Sequence, residues 1–383
     1  MTKSDDKRVP ALRFKGFTDE WEQRKLGDYG SVAMNKRIFK NQTNTNSGVP
    51  FYKIGTFGKK ADAFISKKLF EEYRKKYPYP KKGDLLISAS GSIGRVIEYT
   101  GQQAYYQDSN IVWLNHNDNL ENIYLKAYYQ IIHWSGIEGS TIKRLYNKNI
   151  LNTKIYVPIK DEQFKVGTII DQIEKLITLQ QRKVTLFKQL KGSLLDSLIS
   201  GKDTPLVRFN EFKSKWTLFT LKDIVTKTIK GSAKAEMHGK ESIYLDTHYL
   251  NGGNPSMVNS PTNVSSNDII ILWDGSRAGK VYHGFTGALG STLKSYTPKY
   301  SSDYLFQYLK KYQNKIFANY RTPNIPHVIK DFATVFKVNL PSTKEQIIIS
   351  SLLKTLDVQI TTENTSVNHL KNIKQFLLQN MFI

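Results

Sequence analysis

The chain of 383 residues contains no cysteine, which excludes disulfides, thiolate metal sites and cysteine nucleophiles. No apolar run approaches the roughly 20 residues that span a bilayer. The opening stretch, Met1 to Val9, is polar and charged and lacks the apolar centre of a signal peptide. These absences set the expectation of a soluble, cytoplasmic protein with no membrane partner. Catalytic patterns are missing as well. Gly279-Lys280 comes near a phosphate loop, but Asp274 stands where the upstream glycine belongs and Val281 follows the lysine. Gly91-Ser92-Ile93-Gly94 lacks dinucleotide-loop spacing. No two of the seven histidines lie three to five residues apart, so there is no local metal pair. There is no nucleophile elbow, although a dispersed Ser/His/Asp triad leaves no sequence mark. The Asn/Asp-Pro-Pro-aromatic tetrapeptide of amino-methyltransferases is absent, and Asn254-Pro255-Ser256 does not fit it. The expectation is a protein with no catalytic residue, no metal and no cofactor of its own.

Acidic residues are also scarce. Lysine and arginine number 56 against 33 aspartates and glutamates, a formal charge of +23. Such an excess calls for a polyanionic partner, and nucleic acid is the usual one. The cations cluster with aromatics: Lys67, Lys68, Tyr73, Arg74, Lys75, Lys76, Tyr77, Tyr79, Lys81 and Lys82 crowd one stretch. No strongly amphipathic basic helix stands out to suggest a membrane surface instead.

What is present is said twice. Pro10, Arg13, Phe14, Phe17, Trp21, Leu26 and Asp28 recur 195 residues later as Pro205, Arg208, Phe209, Phe212, Trp216, Leu221 and Asp223. Pro158, Glu162, Gln163, Ile177, Lys188, Lys191, Leu194 and Leu195 recur 183 residues later as Pro341, Glu345, Gln346, Ile360, Lys371, Lys374, Leu377 and Leu378. Between these boxes the halves diverge. Repeated ends around unrelated middles indicate one duplicated scaffold presenting two different surfaces. The period is too long for a solenoid unit.

Four segments follow: globular regions at 1–157 and 201–340, and helices at 158–200 and 341–383. Strand candidates include Asp84–Ser88, Asn110–Leu114, Asp268–Trp273 and Thr334–Leu340. Each helix follows a proline that ends an extended run, with Glu162 or Glu345 in the first turn, where the helix dipole favours negative charge. Ile170, Ile173, Ile177, Val184 and Phe187 form a stripe that resumes at Leu190, Leu194 and Leu198. Leu353, Leu356, Ile360, Val367, Leu370 and Leu377 form the matching one. Stripes this long argue for coiled-coil packing of helix against helix, the alternative being two amphipathic helices each packed on its own domain. Both are interrupted in the same register position, at Gln180 and Glu363, which an antiparallel pair would place near one another. At roughly 38 residues each helix would extend about 57 Å, enough to hold two reading domains apart.

Two pairs of segments are candidates for contact with DNA. Gly83-Asp84-Leu85-Leu86-Ile87 leads into Ser90, Gly91, Ser92 and Arg95, and Asn267-Asp268-Ile269-Ile270-Ile271 leads into Gly275, Ser276, Arg277 and Lys280. Each is a strand running into a tight turn with a basic residue beyond it. The turn offers N–H and hydroxyl donors to phosphate or base edges, or else simply closes a hairpin. The second pair precedes the helices. Gly139 to Leu145, with Lys143 and Arg144, is matched to Asn319 to Ile325, with Tyr320, Arg321 and Asn324, and Leu145 and Ile325 serve as apolar anchors. Arginine and asparagine have the shapes that grip guanine and adenine edges.

Taken together, the opening Pro-x-Leu/Val-Arg-Phe…Phe…Trp box, the Gly-Asp-Leu-Leu-Ile…Gly-Ser turn and the Pro…Glu-Gln box closing on a long helix resemble the specificity subunit of type I restriction-modification systems. The likeness runs over essentially the whole chain. It implies an α+β architecture of two tandem target recognition domains at 1–157 and 201–340. Two spacer helices, at 158–200 and 341–383, would separate them as an antiparallel coiled coil with internal pseudo-twofold symmetry. It further implies a non-catalytic DNA-binding subunit in bacterial defence, each domain reading half of a bipartite, asymmetric site in double-stranded DNA. Two adenine-N6 methyltransferase subunits and two ATP-dependent translocating endonuclease subunits would assemble on it. S-adenosylmethionine, ATP and Mg²⁺ would belong to those partners. The second half departs from the first in having one extra residue in its Gly-Ser turn and Asn319 in place of Gly139. The competing reading is a two-domain DNA-binding regulator that oligomerises through its coiled coil.

Overall fold

The apolar runs Leu85–Ser88 and Ile269–Leu272 are buried along their whole length and form the central strands of two separate sheets. In the computed structural model, which describes residues 8–136, 144–323 and 326–383, the chain divides into two units. The first comprises Met1–Gln180 and Ser366–Ile383, the second Gln181–Thr365. Each unit therefore takes one globular region together with parts of both long helices, Lys160–Leu198 and Thr343–Asn380.

In the first unit, a four-stranded antiparallel sheet runs in the order Gly30–Ala33, Ile111–His116, Leu85–Ser88, Val96–Glu98. A second sheet of short strands ends on a parallel pair, in which Phe51 faces Tyr105. Strands Glu22–Lys25 and Lys154–Val157 pair at the base, immediately before the helix begins. The second unit repeats the plan. Its first sheet has the order Val225–Lys230, Leu293–Pro298, Ile269–Leu272, Val281–His283. Its second sheet again contains a parallel pair, Tyr244 facing Ala288, and Thr217–Thr220 pairs with Lys337–Leu340 at the base.

The repeated boxes build these bases. In the first unit, Arg13 donates through Nε and Nη2 to both carboxylate oxygens of Glu162, at 2.7 and 2.8 Å, and through Nη2 to the Asp19 carbonyl at 2.6 Å. In the second, Arg208 makes the same fork onto Glu345, at 2.8 Å each, and donates to the Ser214 carbonyl at 2.6 Å. Both glutamates are fully buried, so each charge is desolvated and held by a bidentate partner. This adds a role that the dipole argument did not contain. Gln163 accepts from the Glu121 N–H and Gln346 from the Ser301 N–H, fastening each helix start to its globular region. Trp21 and Trp216 are buried in the corresponding cores.

The helices pack antiparallel. In the second unit Lys183 reaches Glu363 at 2.5 Å and Lys191 reaches Asp357 at 2.6 Å, so partners descend on one helix as they climb the other. In the first unit Glu174 pairs with Lys374 at 2.7 Å, and Phe382, beyond the second helix, packs edge-on against Trp21. Of the stripe residues, Ile170, Ile173, Val184, Leu353, Leu356, Val367 and Leu377 are buried, and Ile177, Phe187, Leu194, Ile360 and Leu370 half-buried. Leu190 departs from the expected stripe and is exposed. The step after Phe187 falls on Lys191, whose ammonium is matched by Asp357, so the seam passes through an ion pair at that level.

One strand candidate also needs correction. Thr334–Leu340 is not continuous strand: Phe332–Val335 is a helical turn, and the strand starts at Lys337. A helical turn puts Phe332 and Phe336 on one face, with their rings 5.0 Å apart in the core.

Candidate nucleic-acid interface

In each unit the turn that follows the buried central strand meets the segment that precedes the base strand. In the first, Leu85–Ser88 and Val96–Glu98 form a hairpin closed by Ala89 to Arg95. Ser88 stabilises the turn by accepting from the Arg95 N–H at 2.9 Å and donating to the Ser92 carbonyl. Ser90 and Arg144 form an isolated antiparallel bridge, and Leu145 donates its N–H to the Ala89 carbonyl at 2.7 Å. The Asp108 to Asn110 corner completes the cluster. Ser90 Oγ donates to Asn110 Oδ1 at 2.8 Å, and Arg144 Nη2 donates to the Ser109 carbonyl at 2.7 Å. Ser109 holds φ of 59°, the one positive φ outside glycine among the described residues, a strained conformation of the kind that gathers at functional sites.

The second unit converges in the same way. Asp274 bridges His327, the Gly275 N–H donates to the Pro326 carbonyl at 2.9 Å, and Val328 donates its N–H to the Trp273 carbonyl at 2.9 Å. Gly275 has φ of +112°, which a side chain would strain. Arg321 donates from Nε to the Phe317 carbonyl at 2.8 Å and from Nη1 to the Ser276 carbonyl at 3.2 Å, with its guanidinium 5.0 Å above the Phe317 ring. These bonds correct the matching of the two halves. Buried Leu145 corresponds to buried Val328, the two residues whose N–H groups bond to the strand end, and Ile325 lies outside the described residues.

The candidate residues take different places within this arrangement. Gly91, Ser92 and Arg95 in the first unit, and Gly275, Ser276 and Arg277 in the second, are exposed on the turns. Ser90, Arg144, Lys280 and Arg321 are half-buried, and the two arginines spend donors on backbone carbonyls. Tyr320 packs edge-on against Phe332 and Phe336, which makes it part of the domain core. Lys143 and Asn324 lie outside the described residues. Arg277 makes no side-chain hydrogen bond or ion pair among the described residues.

Sequence reasoning missed a third segment. In each unit a 3-10 turn, Ile54–Thr56 or Tyr249–Asn251, follows the strand that bears the parallel pair and reaches the glycine-containing turn. In the first unit Arg95 lies over Gly58, where a Cβ would stand 2.5 Å from Nη2, and the φ there is +72°. Ile54, Phe57, Lys59, Ser92 and Arg95 are among the residues that line a cleft of about 260 Å³. In the second unit Lys280 hydrogen-bonds Asn251, and its ammonium lies 5.1 Å from the Tyr282 ring centre. Burial, reinforced by nearby Arg277, lowers the Lys280 pKa. The available signal was glycine beyond a strand, at Gly58 and at Gly252-Gly253.

Such a surface can offer backbone N–H groups, hydroxyls and a few cations to an anionic, edge-bearing ligand. Among the described residues no cluster of three histidine, aspartate or glutamate side chains could hold a metal, and no helix is long and apolar enough to cross a membrane.

Comparison with known proteins agrees with the duplication. Residues 18–186 and 213–372 each match the type I restriction modification DNA specificity domain. Over 152 residues the chain is 55% identical to a type I restriction enzyme specificity subunit of Haemophilus influenzae, a match covering 39% of this chain and 40% of the relative. Over 178 residues it is 33% identical to the MjaVIII specificity subunit of Methanocaldococcus jannaschii, covering 44% and 42%. The matches thus span less than half the length of these relatives. The crystal structure of the S subunit of a type I restriction-modification system from M. genitalium has the same fold, with a TM-score of 0.69 at 16% identity over 98% of this chain and 99% of that one.

Proposed function

Because the chain belongs to the family of type I restriction modification DNA specificity domains, we propose that it is the subunit that selects DNA for a type I restriction-modification complex. Each unit reads one half of a bipartite, asymmetric duplex site, and the long helices set the gap between the halves. The observation that carries this reading is the convergence of equivalent segments onto equivalent sheets, bearing different side chains in the two units. Two such surfaces have the chemistry to distinguish two different half-sites by groove contacts.

The subunit does no chemistry of its own. Methylation of adenine and restriction fall to two methyltransferase and two endonuclease subunits, which bring S-adenosylmethionine, ATP and Mg²⁺. Apolar side chains left exposed on the helices offer such partners a surface: Phe164, Leu176 and Leu179 in the first unit, Leu186, Leu190 and Val358 in the second. Selection by the full chain from a randomised duplex pool tests the reading. Two enriched blocks separated by an unselected gap of fixed length are expected. A single continuous block would point to a different kind of DNA-binding protein, and no enrichment would remove DNA selection altogether.

A further inference from the structure

The two units differ most in charge along one matched interval. Between strands Val49–Tyr52 and Leu85–Ser88, residues 53–84 carry ten lysines and arginines against four carboxylates. Between the equivalent strands His238–Leu245 and Ile269–Leu272, residues 246–268 carry no lysine or arginine and two aspartates. The first interval contains a helix, Lys67–Lys76, where the second has only the Tyr249–Asn251 turn and the short strand Met257–Val258.

That helix turns Phe70 fully inward, with Leu69 and Tyr73 packed against the same core. Lys67, Lys68, Arg74, Lys75 and Lys76 are all exposed, and none makes an ion pair among the described residues. Lys59, Lys60, Lys81 and Lys82 flank it, equally exposed and unpaired. Helix stability explains only part of this pattern. Arg74 to Lys76 in the last turn suit the helix dipole, but Lys67 and Lys68 stand in the first turn, where the dipole opposes positive charge. Aromatic rings hold several cations in place: Arg74 lies 5.4 Å from the Tyr79 ring centre, and Lys36 lies 5.2 Å from that of Tyr77. With its apolar side buried, the helix has no face to insert into lipid.

We infer that this helix and its flanks form a separate binding site for the phosphate backbone of duplex DNA, present in the first unit and absent from the second. The first unit then supplies an anchor whose strength is independent of sequence, while the second depends more on its turn surface. This rests on the DNA-selecting function proposed above.

The test measures the affinity of the full chain for a random-sequence duplex against salt concentration. The test variant carries Lys67→Gln, Lys68→Gln, Lys75→Gln and Lys76→Gln. A control of equal charge carries Lys213→Gln, Lys222→Gln, Lys337→Gln and Lys344→Gln, all exposed positions in the second unit. Each phosphate contact contributes about 0.9 to the slope of log affinity against log salt, so the test variant should be shallower by about two or more and the control nearly unchanged. Circular dichroism confirms that both variants are folded, and the sequence blocks selected from a random pool should stay the same in both. Equal slopes in the test variant and the parent would overturn the inference, as would an equal drop in test variant and control, which would mark a bulk charge effect. A test variant that loses binding to vesicles of anionic phospholipid while keeping its DNA slope would reassign the patch to membranes. If the parent chain itself bound no duplex at low salt, the failure would lie with the proposed function rather than with the anchor.

Discussion

The bases of the two units repeat the same forked ion pair, whereas their upper surfaces share a backbone plan and little else. Arg13 with Glu162 and Arg208 with Glu345 have the same forked geometry to within 0.1 Å. Above them, the first unit closes its turn cluster on Arg144 and the second on His327. The difference shows what a duplicated chain is free to change. A buried carboxylate must keep its partner, because the loss of either leaves an uncompensated charge in the interior. An exposed turn needs only its glycines and its strand ends, so the side chains between them can diverge.

The sharpest way to break this comparison is at the bases. Arg13→Ala should cost about 3–5 kcal/mol, because Glu162 is left buried without its cation. Arg208→Ala should cost less, because Trp216 Nε1 still donates to Glu345 at 3.4 Å whereas Trp21 Nε1 has no partner among the described residues. Hydrogen exchange resolved by segment is the check. Protection should fall in strands Glu22–Lys25 and Lys154–Val157 for the first variant, and less in Thr217–Thr220 and Lys337–Leu340 for the second. Equal losses would mean that the tryptophan contributes nothing.

At the reading surface, the second unit separates a free arginine from a committed one. Arg277→Ala should weaken binding to the selected site by about 1–3 kcal/mol and relax one position of it, if the guanidinium grips a base edge. A uniform loss across sequences with a shallower salt dependence would identify a phosphate contact instead. Arg321→Ala should act differently, since its donors hold the Phe317 and Ser276 carbonyls. It should loosen the turn and raise exchange at Gly275 to Lys280 without altering the salt slope.

The smallest effect concerns the contacts beside the helices, where the two units invert charge. In the first, Lys126 in the globular region pairs with Asp171 on the helix at 2.8 Å. In the second, Asp303 in the globular region pairs with Lys354 on the helix at 2.9 Å and lies 3.6 Å from His283. Burial opposes charge on Asp171, but hydrogen bonds from Lys126 and Lys175 outweigh it and hold its pKa below the ordinary 3.8. Burial pushes His283 below its ordinary 6.5 despite the pull of Asp303. Both groups have depressed folded pKa values, so both contributions are complete above the unfolded value and fade as pH falls below it. Protection of Val281–His283 and Ser302–Lys311 should therefore decline as pH drops below 6.5, whereas Val96–Glu98 and Asn122–Tyr128 should hold until pH drops below 3.8. A simultaneous decline in both units would contradict the assignment.

Much of the frame was legible in the sequence because buried charges and apolar stripes recur at fixed offsets. Arg13, Trp21, Glu162 and Gln163 announce themselves by returning as Arg208, Trp216, Glu345 and Gln346. The reading surface was legible only as segments. Arg144 and Arg321 looked like free donors, because the carbonyls that occupy them, at Ser109, Phe317 and Ser276, belong to the backbone and leave no sequence mark. Val328 was missed as the counterpart of Leu145 because matching two segments of polar and basic residues by sequence does not reveal which N–H reaches a strand end. Leu190 was placed in the seam because leucine fits a stripe better than lysine does. The pairing of Lys191 with Asp357 shows that the register runs through the lysine at this level.

The central claim is that each unit reads its own half-site independently. It is tested most directly by replacing residues 29–150 with the corresponding region of a relative and mapping methylated adenines in cells that carry the partner subunits. One block of the methylated motif should change while the other block and the gap stay as they were. A motif in which both blocks change would contradict the account.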